Sequence, residues 1–145
     1  MNLLDALHTS SSALSAQRVR MNVISSNLAN ANTTRTPEGG PYRRKEVVMA
    51  AYPAQQSFED ILKARLTDRV SEVKVVGIVN DTRPFVSKYD PQHPDANEEG
   101  YVLMPNVNIV REMVNMMSAT RNYEANVTAI NATKSMALKA LEIGR

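Results

Sequence analysis

The sequence predicts a mainly α fold with a small β insert, in which an N-terminal and a C-terminal helix pair as an antiparallel coiled coil. Both ends of the chain have apolar residues at the three- and four-residue spacing of a coiled-coil seam. The middle has β-branched runs separated by Pro- and Gly-rich turns. We therefore expect residues 1–32 and 105–145 to form a coiled-coil inner domain and residues 33–104 to form a β-rich outer insert with long loops.

The C-terminal helix has the longer seam. Pro105 fits a first helical turn, Asn106 and Asn108 are capping residue types, and Gly144 is a typical stop. The predicted seam consists of Ile109, Met113, Met116, Thr120, Tyr123, Val127, Ile130, Lys134, Ala137 and Leu141. A lone helix would leave this stripe in water, so the stripe needs a partner.

The N-terminal helix is the predicted partner. Its main heptad positions are Leu7, Leu14, Met21 and Leu28, and Leu3 and Ile24 fall three positions after sites of this repeat. Asn27, Asn30 and Asn32 have low helix propensity and suit a capped, fraying end. The same periodicity is compatible with two ordinary helices of a compact bundle, but a sustained seam favours the coiled coil.

The insert is predicted to contain short strands and one short helix. The residues Thr36 to Pro41 form a turn, and strands are expected at 46–49, 72–79, 84–86 and 101–104. Residues 57–66 have the spacing of a short amphipathic helix with Ser57 as its cap, and residues 89–100 form a long polar loop.

Composition and charge argue against nucleic acid and against membrane insertion. Seventeen basic and fifteen acidic side chains give a net charge of only +2, and no apolar stretch is long enough to cross a bilayer. The basic triplet Arg43 to Lys45 is too narrow for a nucleic-acid patch and favours a solvated or protein-facing edge. The N-terminus lacks the apolar core of a signal peptide, so we expect any export to proceed without a cleaved one.

No set of residues predicts catalysis, a cofactor, a metal or a small-molecule substrate. The loop that begins at Asp95 starts like a calcium loop, but its twelfth position is Asn106 rather than glutamate. His8 and His93 have no triad or metal-ligand spacing, and there is no cysteine. We therefore expect a protein that is not an enzyme.

Helix surfaces remain as the candidate functional site. The polar face of the C-terminal helix is rich in Asn and Thr. This face either is exposed to solvent or makes hydrogen bonds to neighbouring subunits. The second alternative predicts an assembly interface at Leu7, Leu14, Met21, Ile24, Asn27, Leu28, Asn30, Met113, Met116, Met117, Tyr123, Asn126, Val127 and Ile130.

Several motifs resemble those of the bacterial flagellar rod and hook axial proteins, and of the proximal-rod branch in particular. They are the helix-end segment 25–30, the segment Pro41-Tyr42-Arg43 after the Gly-Gly turn, and the stretches 100–108, 112–121, 123–126 and 134–136. The resemblance covers both ends and the hinge loops, but not residues 58–69.

This resemblance implies a structural subunit of a periplasmic drive shaft. It implies export by the flagellar type III apparatus, terminal helices that form an inner tube around the export channel, and a small outer β domain. The implied partners are copies of the same chain, other proteins of the proximal and distal rod, and the adaptor that joins the rod to the membrane ring. The residues alone also allow a soluble helical adaptor or export chaperone, which would remain a small discrete complex.

Overall fold

The computed structural model describes residues 3–53 and 71–143, and it confirms the predicted fold class. Helix α1 spans Leu3–Ala29, and helix α2 spans Ile109–Ile143. Between them lie the strands β1 (Lys45–Pro53), β2 (Ser71–Asn80), β3 (Val86–Tyr89) and β4 (Tyr101–Met104). The short helix predicted at residues 57–66 lies outside the described residues.

The two helices pack against each other in antiparallel orientation. Near the end of α1, the Asn27 amide donates to the Glu112 carboxylate at 3.0 Å. Earlier in α1, the Met21 sulfur accepts a hydrogen bond from the Thr120 hydroxyl at 3.8 Å. Residue numbers therefore fall along α1 as they rise along α2. The 35 residues of α2 form a helix about 52 Å long.

The contact stripe on α2 differs from the predicted seam. Five predicted seam residues are at least partly buried: Met116, Tyr123, Val127, Ile130 and Ala137. The other five are exposed: Ile109, Met113, Thr120, Lys134 and Leu141. The fully buried positions of the stripe are instead Glu112 and Ala119. The prediction was wrong at these positions because apolar residues cover more of α2 than one seam needs, and because a polar network takes the position of Glu112.

Helix α1 packs against α2 and also against the strands β1 and β2. The Asn27 amide donates to the Lys45 carbonyl oxygen at 2.8 Å, at the start of β1. The Ser12 hydroxyl accepts from the Val73 N–H at 3.1 Å, near the start of β2. The paired strands therefore run along α1. The face of α1 that stays exposed is polar or small and consists of His8, Ser11, Ser15, Arg18, Asn22, Ser25, Ser26 and Ala29.

The strands form two antiparallel pairs. β1 pairs with β2 from Lys45↔Asn80 to Pro53↔Ser71, and β3 pairs with β4 from Val86↔Met104 to Tyr89↔Tyr101. The strand predicted at residues 84–86 begins only at Val86. Pro84 has no N–H for a ladder, and the Arg43 guanidinium lies 4.4 Å from the centre of the Phe85 ring.

Helix α2 starts later than the capping residue types suggested. The Asn108 side-chain oxygen accepts the Arg111 N–H at 3.0 Å, and the Asn108 carbonyl accepts the Glu112 N–H at 3.0 Å. Asn108 is therefore the cap, and the helix begins at Ile109. Asn106, which is also an asparagine, does not cap the helix, because its side chain forms hydrogen bonds with Arg44 and Arg83.

Candidate functional site: a polar hub and an exposed apolar face

A network of buried polar side chains joins the two helices to the insert. We call it the polar hub; its members are Asn27, Tyr42, Arg44, Asp81, Asn106 and Glu112. Of these, Asn27 and Glu112 are completely buried. Buried polar groups are tolerated only when they are hydrogen-bonded, so the geometry of this network constrains the elements that supply it.

Asn27 is at the centre of the polar hub, and its side chain makes four hydrogen bonds. The amide nitrogen donates to the Lys45 carbonyl and to Glu112. The amide oxygen accepts the Lys45 N–H at 2.9 Å and the Tyr42 hydroxyl at 3.0 Å. This is every hydrogen bond that an Asn side chain can make. The expectation that Asn27 belongs to a fraying helix end was therefore wrong, whereas Asn30 does cap the end by donating to the Ser26 carbonyl at 2.9 Å.

Arg44 and Glu112 form the charged part of the polar hub. The Arg44 Nε donates to Glu112 Oε1 at 2.9 Å, and Asn115 donates to the same oxygen at 3.2 Å. Arg44 also contacts Glu46 at 3.2 Å and Asp81 at 3.3 Å. Burial lowers the pKa of Arg44, but the hydrogen bond and the attraction to Glu112 raise it by more, so the net shift is upward. The guanidinium is therefore a permanent cation.

Asn106 and Asp81 connect the polar hub to the segment after β2. The Asn106 side-chain oxygen accepts the Arg44 N–H at 2.8 Å, and its amide donates to the Arg83 carbonyl at 3.1 Å. Asp81 accepts from the Arg83 guanidinium and, at 2.9 Å, from the Arg83 N–H. Hydrogen bonds from Arg83 hold the pKa of Asp81 well below its usual range.

The lowered pKa of Asp81 makes stability depend on pH. Its contribution is complete above the pKa of about 3.9 that an unfolded aspartate has, and it is lost as the pH falls through the lower folded pKa. We expect Asp81→Asn to destabilise the chain at pH 7 and the difference from the unchanged chain to shrink below about pH 4. Urea unfolding from pH 7 to pH 2 measures this. Glu98→Gln, at an exposed site, is the control, and a difference for Asp81→Asn that does not vary with pH would contradict the account.

The polar hub shows what the basic triplet does. Arg44 is buried and faces acidic side chains of the same protein, and Arg43 donates to the Asp81 carbonyl at 2.9 Å. Lys45 is exposed. The interpretation as a solvated or protein-facing edge is therefore confirmed.

Most of the predicted interface residues are at least partly buried within the single chain. Ile24 and Asn27 are buried. Ten others are partly buried: Leu7, Leu14, Met21, Leu28, Asn30, Met116, Tyr123, Asn126, Val127 and Ile130. Met113 and Met117 are exposed, at 52% and 55%. Whether any of the fourteen contacts a neighbouring subunit stays a prediction.

Met113 and Met117 belong to an exposed apolar surface at the start of α2. The other members are Ile109, Val110 and Val114, and we call the five together the apolar face of α2. Their exposure runs from 46% at Ile109 to 71% at Val110. Their positions, 109, 110, 113, 114 and 117, have the spacing of one side of a helix, so they form one patch. Sequence reasoning missed Val110 and Val114 because they lie outside the a/d pattern, although their apolar type was a visible signal.

Sequence reasoning also missed the role of Arg44, Asn106 and Glu112. The motifs quoted for the resemblance contain Asn106 and Glu112, so a signal was present, but spacing does not reveal which distant residues meet. In the described ranges, no group of three or more His, Cys, Asp or Glu side chains could hold a metal ion. Neither α1 nor α2 is apolar enough over a sufficient length to cross a membrane, as far as the helices are described.

Comparisons with known proteins agree with the motifs at both ends. The family described as "Flagella basal body rod protein" matches residues 7–35, and "Flagellar basal body rod FlgEFG protein C-terminal" matches residues 98–143. A flagellar basal-body rod protein FlgC of Bacillus subtilis is 51% identical over the whole of both chains. The FlgC of Borreliella burgdorferi is 44% identical over 99% of this chain and 98% of the relative, and that of Salmonella typhimurium is 43% identical over the whole of both. The chain therefore belongs to the FlgC family of flagellar basal-body rod proteins.

Proposed function

We propose that this chain enters the rod through the outer surfaces of its two terminal helices and forms part of a tube that transmits torque and encloses the export channel. As a member of its family, the chain is a structural subunit of the flagellar basal-body rod. The alternative, a soluble adaptor or export chaperone, is not favoured, because the relatives are rod proteins along their whole length.

The single observation that carries the proposal is the apolar face of α2. It lies on the part of the helix whose other side is held by the polar hub, so its backbone is firmly placed. Contiguous exposed apolar patches on soluble proteins mark interaction sites. Methionine suits such a surface because its flexible side chain adapts to neighbours that are not identical.

The proposal assigns different roles to the terminal helices and to the insert. We propose that residues 1–32 and 105–145 form the inner, load-bearing layer and that residues 33–104 form an outer layer. The α1–α2 pair would give stiffness along the rod axis, because a packed helix pair resists bending more than a single helix. Met113 and Met117 would then contact neighbouring subunits, and the predicted residues that are half-buried would hold the helix pair together.

The partners proposed are other copies of this chain, other proteins of the proximal and distal rod, and the adaptor between the rod and the membrane ring. We further propose that the chain is not an enzyme, and that the flagellar type III apparatus exports it without cleavage of a signal peptide to the periplasmic rod.

Met113→Asp tests the proposal directly. A charge in the apolar face would have to be buried in the assembled rod, which is strongly unfavourable, but it would remain in water in the isolated chain. We expect normal thermal unfolding of the purified variant, loss of motility in soft agar, and absence of the chain from isolated basal bodies.

Two further variants sharpen this test. Asn122→Asp adds the same charge at an exposed polar position of α2 and is expected to keep motility. Met116→Asp, on the partly buried side, is expected to lower the thermal unfolding temperature of the purified chain as well as motility. Basal bodies that contain the Met113→Asp chain at the usual amount would refute the proposed role of the apolar face.

A further inference from the structure

A polar cleft lies beside the polar hub, between the helices and β1. It has a volume of about 660 Å³. Its walls carry five basic side chains, namely Arg20, Arg44, Lys45, Arg83 and Arg111. Its acidic side chains are Glu46, Asp81 and Glu112. The cleft therefore has two more basic than acidic side chains, which equals the excess of the whole chain.

The ion pairs inside the cleft do not involve all of its basic side chains. Glu46 and Glu112 are paired with Arg44, and Asp81 is paired with both Arg44 and Arg83. Within the described ranges, Arg20, Lys45 and Arg111 have no carboxylate partner. Arg20 comes from α1 and Arg111 from α2, so the two side chains line the cleft from two helices that the polar hub holds together. Guanidinium groups placed in this way suit carboxylates, which they bind with paired hydrogen bonds.

Two acidic side chains that could pair with these cations lie in the loop before β4. Glu98 and Glu99 are adjacent and exposed, and neither has a side-chain partner among the described residues. Gly100, which follows them, has a φ of +80°, and a Cβ there would lie 3.0 Å from the Tyr89 ring, so the turn is fixed by close packing.

Backbone hydrogen bonds hold this loop in place. The Asp90 N–H donates to the Gly100 carbonyl at 2.9 Å, and the Asn97 N–H donates to the Tyr101 carbonyl at 2.9 Å. The Thr34 hydroxyl donates to Asp95 at 2.7 Å. The loop backbone is thus held in place at its two glutamates, which reduces the backbone entropy lost on binding.

We propose that Glu98 and Glu99 of one copy of this chain bind in the polar cleft of a second copy, against Arg20 and Arg111. This rests on the proposed function, since it names one contact between rod subunits. The contact does not form within one chain, because the residues that line the cleft include none from the loop and the anchors at Thr34 and Gly100 hold the loop elsewhere. Two different surfaces meet, so the contact is head-to-tail and leaves a free surface at each end, as a helical assembly needs.

Charge exchange tests this contact. We expect the cleft variant Arg20→Glu/Arg111→Glu and the loop variant Glu98→Arg/Glu99→Arg each to lower motility and the amount of chain in isolated basal bodies. We expect the four substitutions together to restore both. The control is Arg18→Glu/Arg121→Glu, at exposed arginines of the same helices outside the cleft, whose phenotype the loop variant should not rescue. Unchanged assembly in either charge variant, or no restoration in the combined one, would overturn the proposal.

Cross-linking identifies the occupant independently of charge. The chain has no cysteine, so Glu99→Cys and Arg111→Cys introduce the only thiols. In basal bodies treated with a short bis-maleimide, we expect a covalent dimer of this chain from the combined variant, and none when Arg111→Cys is replaced by Ser15→Cys. A cross-link to a different protein, or none, overturns the assignment to a second copy. A different result would contradict the proposed function itself, namely the absence of the unchanged chain from isolated basal bodies.

Discussion

Replacing Asn27 with aspartate is expected to lower the free energy of unfolding by about 3 to 5 kcal/mol, enough to prevent folding of a marginal chain. The substitution barely changes size. It replaces an amide that donates to the Lys45 carbonyl at 2.8 Å and to Glu112 at 3.0 Å with an oxygen that repels both. It also places a second carboxylate beside a carboxylate that is fully buried.

Urea unfolding of the purified variant measures this loss. The matched control is Asn22→Asp, the same change at an exposed position on the same helix, which is expected to remain within about 0.5 kcal/mol of the unchanged chain. Because the new carboxyl lies next to Glu112, its folded pKa should be raised, so the loss should become smaller as the pH falls. Equal effects of Asn27→Asp and Asn22→Asp would show that the hydrogen bonds of Asn27 do not hold the helices together.

Glu112→Ala is expected to have an effect of similar size, about 3 to 5 kcal/mol, for a different reason. It removes the acceptor for the Arg44 Nε–H and for one N–H of the Asn27 amide, so two buried donors lose their hydrogen bond and Arg44 keeps only Glu46 and Asp81. Thermal or urea unfolding of the purified chain gives the size of the loss. Glu124→Ala, at an exposed site on the same helix, is the control and should change stability by less than about 0.5 kcal/mol.

A double-mutant cycle separates the ion pair from the rest of the polar hub. Arg44→Met alone leaves Glu112 without its cation, whereas Asp81 keeps its pairing with Arg83. Arg44→Met combined with Glu112→Ala removes both charges, so we expect the combined loss to be smaller than the sum of the single losses. Additive losses would mean that the 2.9 Å contact between Arg44 and Glu112 contributes no coupling energy.

The polar hub explains how two weakly patterned helices adopt one relative position. Apolar seams accept several registers at similar free energy, especially with the small and flexible side chains that α1 and α2 carry. A buried network in which every donor needs its acceptor accepts only one. We propose that the polar hub sets the axial position of α1 against α2, and with it the place of the apolar face in the rod.

Much of the architecture could be predicted from local patterns. The seven-residue spacing of Leu7, Leu14, Met21 and Leu28 predicted a helix that ends near Asn30, and the observed helix ends at Ala29. β-branched runs predicted β1, β2 and β4 within a few residues. These features depend on neighbours in sequence, where backbone propensity and side-chain periodicity act directly.

The sequence by itself determined the helical ends, the β-rich middle and the family. Only the tertiary structure decided which polar residues are buried, because Asn27, Arg44, Asn106 and Glu112 are far apart in sequence and look like ordinary cap or surface residues until they meet. It also decided which apolar residues of α2 face α1 and which remain exposed. The physical reason is that α2 has more apolar surface than one partner helix covers, so periodicity alone leaves its rotation about its own axis open, and in the structure the side that carries Glu112 is buried and pairs with Arg44.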